Sequence, residues 1–321
     1  MSLANPTVII PADFPPQISG SDHLDRLRQR AEVELHSDRP DDPQELVRRV
    51  RRGNILMNSR GSVHWSAEML EQLPELRMIT TVSIGTDAID LAAAARQNIT
   101  VCNIPDQTIS IVAEHALALL LAAAKRLAFQ TAEMQAGRWT RRRNVLLAGK
   151  TLGIVGAGPI GAATAQLARA IGMNVIAWTF HPSPERAAKL GVRFVELEEL
   201  LRTSDAVSVH VRMSEQSRLL LGRQELSWMK PGALLINTAR GAIVDNQAVR
   251  ELLDQGHLGG AATDVYETEP PPPEHPLLHC EQVVLTPHSA DCTPEGMDRL
   301  NAAAVDNILA FLDGAPRNQI A

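Results

Sequence analysis

Residues 150–161 read Lys-Thr-Leu-Gly-Ile-Val-Gly-Ala-Gly-Pro-Ile-Gly, and no other stretch limits the fold so tightly. A short apolar run, 152–155, enters the glycines, and an alanine-rich helical pattern, 162–170, leaves them. Strand, glycine turn and helix in succession turn a G-x-G-x-x-G match into a dinucleotide-binding expectation. Gly156 permits the tight turn, Gly158 lets a pyrophosphate approach the backbone, and Gly161 lets helix and strand pack closely. Pro159 and Ile160 lie at the helix start, where unpaired N–H groups and the positive dipole end face the phosphates. The competing reading is a chance glycine turn in an ordinary β-α unit.

The same alternation runs along the whole chain. Strands are expected at 8–10, 55–57, 78–82 and 100–103, helices at 24–31, 67–73 and 91–96, and a polar, proline-bearing loop at 38–43. A long apolar helix, 109–127, reads as a spacer, and a polar and basic segment, 137–149, leads to the glycines. Beyond them come strands at 175–178, 206–211, 233–237, 261–265 and 283–286, helices at 185–190 and 246–255, and a closing helix at 298–313. Strands so continuously apolar suit parallel sheets buried on both faces. The fold class is therefore α/β, in two layered domains. A nucleotide domain that begins mid-chain, with a helix after its last strand, implies that the C-terminus returns to the first domain. The expected division is 1–103 plus 290–321 against 104–289, with the ligand between them.

A formal charge of −6 and a pI near 5.9 argue against a nucleic-acid partner. The one basic cluster, Arg141-Arg142-Arg143, reads as a solvated loop. Cys102, Cys280 and Cys292 share no metal-ligand spacing, so no metal site is expected and a reducing, cytoplasmic setting is. The first six residues, Met-Ser-Leu-Ala-Asn-Pro, lack the basic and apolar regions of a signal peptide. The longest apolar run, 116–124, falls short of the roughly 20 residues that span a bilayer. No membrane association is expected.

Three stretches follow expected strands, where open α/β sheets place their ligand residues. They are Asn237-Thr-Ala-Arg240-Gly241, Asp264-Val-Tyr-Glu-Thr-Glu269-Pro270 and Thr286-Pro287-His288-Ser289. An imidazole exchanges a proton near neutral pH, and a carboxylate behind it fixes the ring and favours the protonated form. A guanidinium grips a substrate carboxylate through two parallel hydrogen bonds. Arg240, Glu269 and His288 together suit reversible hydride transfer between a hydroxy acid and a nicotinamide. Taken singly, each would be read as a surface ion-pair partner or a structural histidine.

At this point a resemblance becomes specific. From Thr80-Thr-Val-Ser-Ile-Gly-Thr-Asp87 through Val112-Ala-Glu-His115, the glycine loop and these three stretches, the chain resembles the D-isomer-specific 2-hydroxyacid dehydrogenases. The resemblance implies a Rossmann-like coenzyme domain inserted into a smaller, flavodoxin-like substrate domain. It implies the catalytic set Arg240, Glu269 and His288, and a homodimer joined through the coenzyme domains. It also implies that Ser83, Ile84 and Gly85 hold the substrate carboxylate and that Asp264 touches the nicotinamide carboxamide. Thr108, His210, Ser217, Thr238 and Ala239 would complete the coenzyme's surroundings. Arg60, in Asn58-Ser59-Arg60, is either a contact for an anionic substrate tail or a rim ion pair.

Three departures bear on specificity. Where NAD users of the family usually place an acid against the ribose, this chain has Thr179 in Ala177-Trp-Thr-Phe-His181. A 2′-phosphate is then not repelled and His181 or Arg186 could meet it, which tilts NAD(H) or NADP(H) toward NADP(H), although Thr179 also suits a bare ribose. Arg212 stands where relatives often have proline, either solvated or a second phosphate or adenine contact. Ser289-Ala-Asp291 follows His288 where Ile-Gly-Gly is common, so the pocket departs from the usual one. The expected activity is reduction of a small 2-keto acid, glyoxylate or hydroxypyruvate first. Phosphoglycerate oxidation is the alternative among enzymes, formate oxidation fits less well because Glu269 stands where a glutamine is expected, and a dinucleotide-sensing corepressor is the non-catalytic contrast.

Overall fold

A computed structural model describes residues 6–321, so the N-terminal segment 1–5, including most of the stretch assessed for a signal peptide, lies outside the described residues. The chain divides into two compact units, one running to Thr108 and resuming at Cys292–Ala321, the other Ile109–Asp291. The first unit holds strands β1 (Thr7–Ile10), β2 (Glu32–Leu35), β3 (Ile55–Asn58), β4 (Met78–Thr81) and β5 (Thr100–Cys102). Between them lie helices α1 (Asp22–Arg28), α2 (Pro43–Val50), α3 (Ala67–Leu70) and α4 (Leu91–Arg96). The five strands form one parallel sheet in the order β2-β1-β3-β4-β5.

Alternation along β3 shows why this sheet needs cover on both faces. Leu56 packs with Ile9, Ile79 and Val101, while Ile55 and Met57 pack with Val8, Ile10 and Met78 on the opposite face.

The second unit opens with α5 (Ile109–Ala124) and α6 (Leu127–Gln135), followed by β6 (Thr151–Val155), α7 (Pro159–Ala170), β7 (Asn174–Trp178), α8 (Pro184–Leu190), β8 (Arg193–Phe194) and α9 (Leu197–Thr203). It continues with β9 (Ala206–Val209), α10 (Arg223–Ser227), β10 (Leu234–Asn237), α11 (Asn246–Asp254), β11 (Gly260–Thr263) and β12 (Val283–Leu285). Its seven strands are ordered β12-β11-β10-β9-β6-β7-β8, all parallel. The order reverses at β6, beside β9, which is where such sheets bind nucleotides. The closing helix α12 (Pro294–Leu312) belongs to the first unit, packing Leu300, Ala304 and Ile308 on β1, β3 and β4.

Several elements differ from expectation for local reasons. The loop expected at 38–43 runs into α2, because Asp42 caps the Gln44 N–H and Pro43 takes the first helical position, where its missing N–H costs nothing. Strand β2 was not expected; its Glu32-Val-Glu-Leu35 is a charged edge strand with a weak apolar signal. The expected single helix 109–127 breaks at Arg126, whose φ of 50° is left-handed, and restarts as α6. Helix α12 begins at Pro294 rather than at 298, capped by Thr293. Strand β8 and helices α9 and α10 are further elements beyond the expected set.

Candidate active site

The glycine loop begins where β6 ends. Gly156 has φ +104°, and a β-carbon there would stand 2.5 Å from the Val211 nitrogen and 2.6 Å from the His210 carbonyl carbon. The turn is thus pressed against the backbone leaving β9, and only glycine fits. A β-carbon on Gly161 would lie 2.2 Å from the Gly156 oxygen, so α7 packs hard on the turn it follows. Gly158, which precedes Pro159 as N-cap of α7, is different: beyond its own chain neighbours, no heavy atom of the described residues lies within 4 Å of where its β-carbon would be. Open space before a twelve-residue helix start fits a pyrophosphate, with Ile160 and its neighbours offering N–H groups.

Around this loop the expected coenzyme residues occupy distinct positions. Thr179 follows β7 and is half-buried. Arg186, on α8, sends Nη2 to the Ala157 carbonyl (3.1 Å) and Nη1 to that of His181, and lies over the Phe194 ring. His210 accepts or donates at 2.9 Å to Ser208 Oγ through Nε2, and burial pushes its pKa down to about 4. Ser217 is buried, and its hydroxyl donates to the Arg212 carbonyl at 2.7 Å while accepting from the Ser214 N–H, so it shapes its own loop. Arg212 is exposed. Thr108 is buried at the start of α5, and the Thr238 hydroxyl is buried with no partner among the described residues.

The catalytic candidates come from the strand ends of the second unit. Asn237, the last residue of β10, accepts from the Ala239 N–H at 3.0 Å and donates to the Arg240 carbonyl at 2.9 Å. This buried amide folds the turn that presents Arg240, a role sequence reasoning missed although the asparagine stood in the quoted stretch. The next residue, Gly241, contacts the backbone of Tyr266 and Glu267, joining this turn to the loop carrying Glu269.

His288 follows β12 with φ 51°, an uncommon conformation for a residue with a side chain. Its Nδ1 stands 2.6 Å from Glu269 Oε2, and Glu269 Oε1 accepts the Tyr266 N–H at 3.0 Å. Burial works to raise the Glu269 pKa. The hydrogen bond and charge of His288, the Tyr266 N–H and the Arg240 charge outweigh it and hold the carboxyl below its ordinary range. The glutamate is thus ionised, fixes Nδ1, and leaves Nε2 as the ring atom that can exchange a proton with a substrate. Tyr266 is no proton source: burial raises its phenol to about 12, and its hydroxyl donates to the Thr286 carbonyl.

Asp264 is fully buried at the end of β11. Its Oδ1 accepts from Thr286 Oγ1 (2.6 Å) and the Ser289 N–H (2.9 Å), and its Oδ2 from the Ala290 N–H (3.0 Å). Burial raises its pKa, but those donors and His115 prevail, and the carboxyl is held below its ordinary range. Its carboxylate is therefore first an anchor for the His288 loop.

In the first unit, the loop after β4 has its carbonyls taken. Ser83 O accepts from the Ile104 N–H (2.9 Å), Ile84 O from Asn103 Nδ2 (2.8 Å) and Gly85 O from Ser83 Oγ (2.7 Å). What the loop has to offer an anion is its N–H groups. Asn103 is a second support that sequence reading missed. Arg60, with φ 51°, donates through Nη1 to Gln17 Oε1 at 3.0 Å, and Gln17 is held by Asn301 at 2.9 Å.

A switch-point glycine loop, an ionised glutamate on a histidine and an arginine beside them define a nicotinamide-dependent oxidoreductase. The comparisons narrow this to a family. Residues 117–290 match the model for the D-isomer specific 2-hydroxyacid dehydrogenase NAD binding domain. The chain is 36% identical over 298 residues to a glyoxylate reductase of Korarchaeum cryptofilum, covering 91% of this chain and 90% of that protein. It is 36% identical over 280 residues to a D-3-phosphoglycerate dehydrogenase of Archaeoglobus fulgidus, covering 86% of this chain but 53% of that one, so it spans about half the length of such relatives. The solved structure of the TT0316 protein from Thermus thermophilus superposes with a TM-score of 0.89 at 38% identity, covering 98% of this chain and 100% of that one. The chain belongs to the D-isomer-specific 2-hydroxyacid dehydrogenase family and is an NAD(P)-dependent 2-hydroxyacid oxidoreductase.

Proposed function

We propose that the protein reduces a small 2-keto acid to its D-2-hydroxy acid, with glyoxylate and hydroxypyruvate the leading substrates. The observation that carries this reading is the 2.6 Å contact between Glu269 and His288, beside the turn that presents Arg240. When bound, the nicotinamide supplies a hydride to the keto carbon. Arg240 grips the carboxylate and polarises the keto oxygen. His288 delivers the Nε2 proton to that oxygen, and Glu269 stabilises the charged ring before transfer. The N–H groups of Ser83, Ile84 and Gly85 are offered to a substrate carboxylate, and Arg60 to an anionic substrate tail.

NADPH is the preferred donor. Thr179 carries no charge to repel a 2′-phosphate, and the Arg186 guanidinium is tied to the Ala157 carbonyl of the glycine loop itself. The enzyme works as a homodimer in the cytoplasm. Helix α6 has no buried residue, and Leu127, Met134, Trp139 and Leu146 on it and after it are exposed, an apolar surface suited to a second copy. Cys102 and Cys280 are buried free thiols, in keeping with a reducing compartment.

A panel of 2-keto acids with NADPH and NADH, followed at the nicotinamide absorbance, tests the reading. Turnover of glyoxylate or hydroxypyruvate, faster with NADPH, is expected; no turnover with any pair would overturn it. Light scattering of the purified protein should give the mass of a dimer.

A further inference from the structure

We propose that His115, on α5 and outside the catalytic set, is a positioning residue that sets the His288 loop through Thr286 and Asp264. The proposal rests on the reading of His288 as the proton donor. Helix α5 packs across β10, β11 and β12, the strands whose ends carry the catalytic stretches. From it His115 Nε2 reaches Thr286 Oγ1 at 3.1 Å and Asp264 Oδ1 at 3.6 Å.

The hydrogen-bond inventory decides the direction of these contacts. Thr286 has one hydroxyl proton and gives it to Asp264 Oδ1 at 2.6 Å. Towards His115 the hydroxyl can only accept, so His115 Nε2 carries a proton and points it at the pair. The imidazole thereby fixes the rotation of the Thr286 hydroxyl and adds a donor to the buried carboxylate.

That carboxylate controls the backbone on either side of the reacting imidazole. Asp264 accepts the His288 N–H through its carbonyl at 2.8 Å, and the Ser289 and Ala290 N–H groups through its two carboxylate oxygens. Three successive N–H groups thus end on one residue. His288 needs such a hold because its backbone sits at φ 51° while its ring meets Glu269 at 2.6 Å. A turn of the Asp264 carboxylate would move Ser289 and Ala290, and with them the imidazole. The chain His115, Thr286, Asp264, Ser289 is a lever running from helix to proton donor, and the helix end of it is 22% exposed whereas the aspartate end is 1% exposed.

Two substitutions test this. His115→Leu keeps bulk and removes the donor; His115→Gln places an amide N–H near the position of Nε2. With the keto acid that the wild type turns over, His115→Leu should lower kcat about tenfold while KM for keto acid and Kd for coenzyme stay within about threefold, and His115→Gln should restore most of it. A second readout needs neither coenzyme nor substrate. The low-field proton resonance of the His288–Glu269 hydrogen bond, assigned by its absence in His288→Gln, should broaden or vanish in His115→Leu and persist in His115→Gln. A His115→Leu enzyme with wild-type kcat and an unchanged resonance overturns the proposal, as does a His115→Gln enzyme no better than His115→Leu. If the wild type itself turns over no keto acid, the functional reading fails, and the resonance alone still decides whether His115 sets the loop.

Discussion

A β-carbon added to Gly241 would stand 2.1 Å from the Tyr266 carbonyl carbon and 2.4 Å from the Glu267 nitrogen. The turn that presents Arg240 and the loop that presents Glu269 are therefore in backbone contact, and neither can move alone. Backbone atoms cannot swing aside as a side-chain tip does, so Gly241→Ala must push the two loops apart. We expect kcat/KM for the keto acid to fall by about 10²-fold, the cost of a displacement on the order of 1 Å at a catalytic centre. Coenzyme affinity, set at the glycine loop, should change little. Steady-state kinetics beside a coenzyme titration checks this; an alanine enzyme with wild-type kcat/KM would show that the contact does not set the geometry.

Glu269→Gln keeps the shape of the side chain and removes its charge. The amide still meets His288 Nδ1 but no longer stabilises a protonated ring. The expected result is a loss of about 10²-fold or more in kcat, within the usual worth of a positioned acid–base pair. The optimum for keto-acid reduction should also move to lower pH, because the neighbouring negative charge that favours proton uptake is gone. An unshifted pH profile would mean that the carboxylate serves only to hold the ring.

How much of this could be read from the sequence depended on whether a residue's role follows from its neighbours in the chain or in space. Arg240, Glu269 and His288 were legible because each follows an apolar strand, and strand ends in a parallel sheet converge on one rim. Strands β3 and β4 were legible because every residue in them is buried. Strand β2 was hidden by glutamates that an edge position tolerates, and α2 by a proline whose place after the Asp42 cap makes it a helix starter. The break at Arg126 left no clear mark, since the charged pair Lys125-Arg126 that stands there is equally at home on a helix surface, and neither glycine nor proline interrupts the run. Asn237, Asn103 and His115 were illegible as supports because what they do depends on the direction of a carbonyl or a hydroxyl elsewhere. Cofactor choice sits between these cases: Thr179 is visible in the chain, whereas the tie from Arg186 to Ala157 appears only in the fold.

That tie leads to a paired prediction at the coenzyme's ribose. Thr179→Asp would put a carboxylate at the end of β7, repelling a 2′-phosphate and accepting ribose hydroxyls, so preference should swing toward NADH. Arg186→Ala removes a charge-assisted contact worth about 1.5–3 kcal/mol, so NADPH should bind roughly tenfold or more weaker while NADH is little affected. Fluorescence titrations with both coenzymes give the four ratios needed. An NADPH-to-NADH ratio unchanged in both variants would remove Thr179 and Arg186 from the selectivity argument.

His210 makes the last prediction, about stability rather than turnover. An exposed histidine takes up its proton near pH 6.5, whereas burial beside the glycine loop pushes His210 down to about 4. Between those values the unfolded chain binds the proton and the folded chain does not, so acid favours unfolding. The contribution is complete above about pH 6.5 and is lost as pH falls toward 4, for a total on the order of 2 kcal/mol once the partial exposure of the His210 side chain is discounted. Asp264 and Glu269, held below ordinary carboxylate values, lose their contributions only at lower pH, after the histidine has acted. His210→Gln is neutral throughout and can still hydrogen-bond, so it isolates the effect. Denaturant melts of the coenzyme-free protein at pH 7, 6, 5 and 4.5 should show the wild type losing stability faster than His210→Gln across that range. Parallel curves would mean that burial does not depress His210 in the fold.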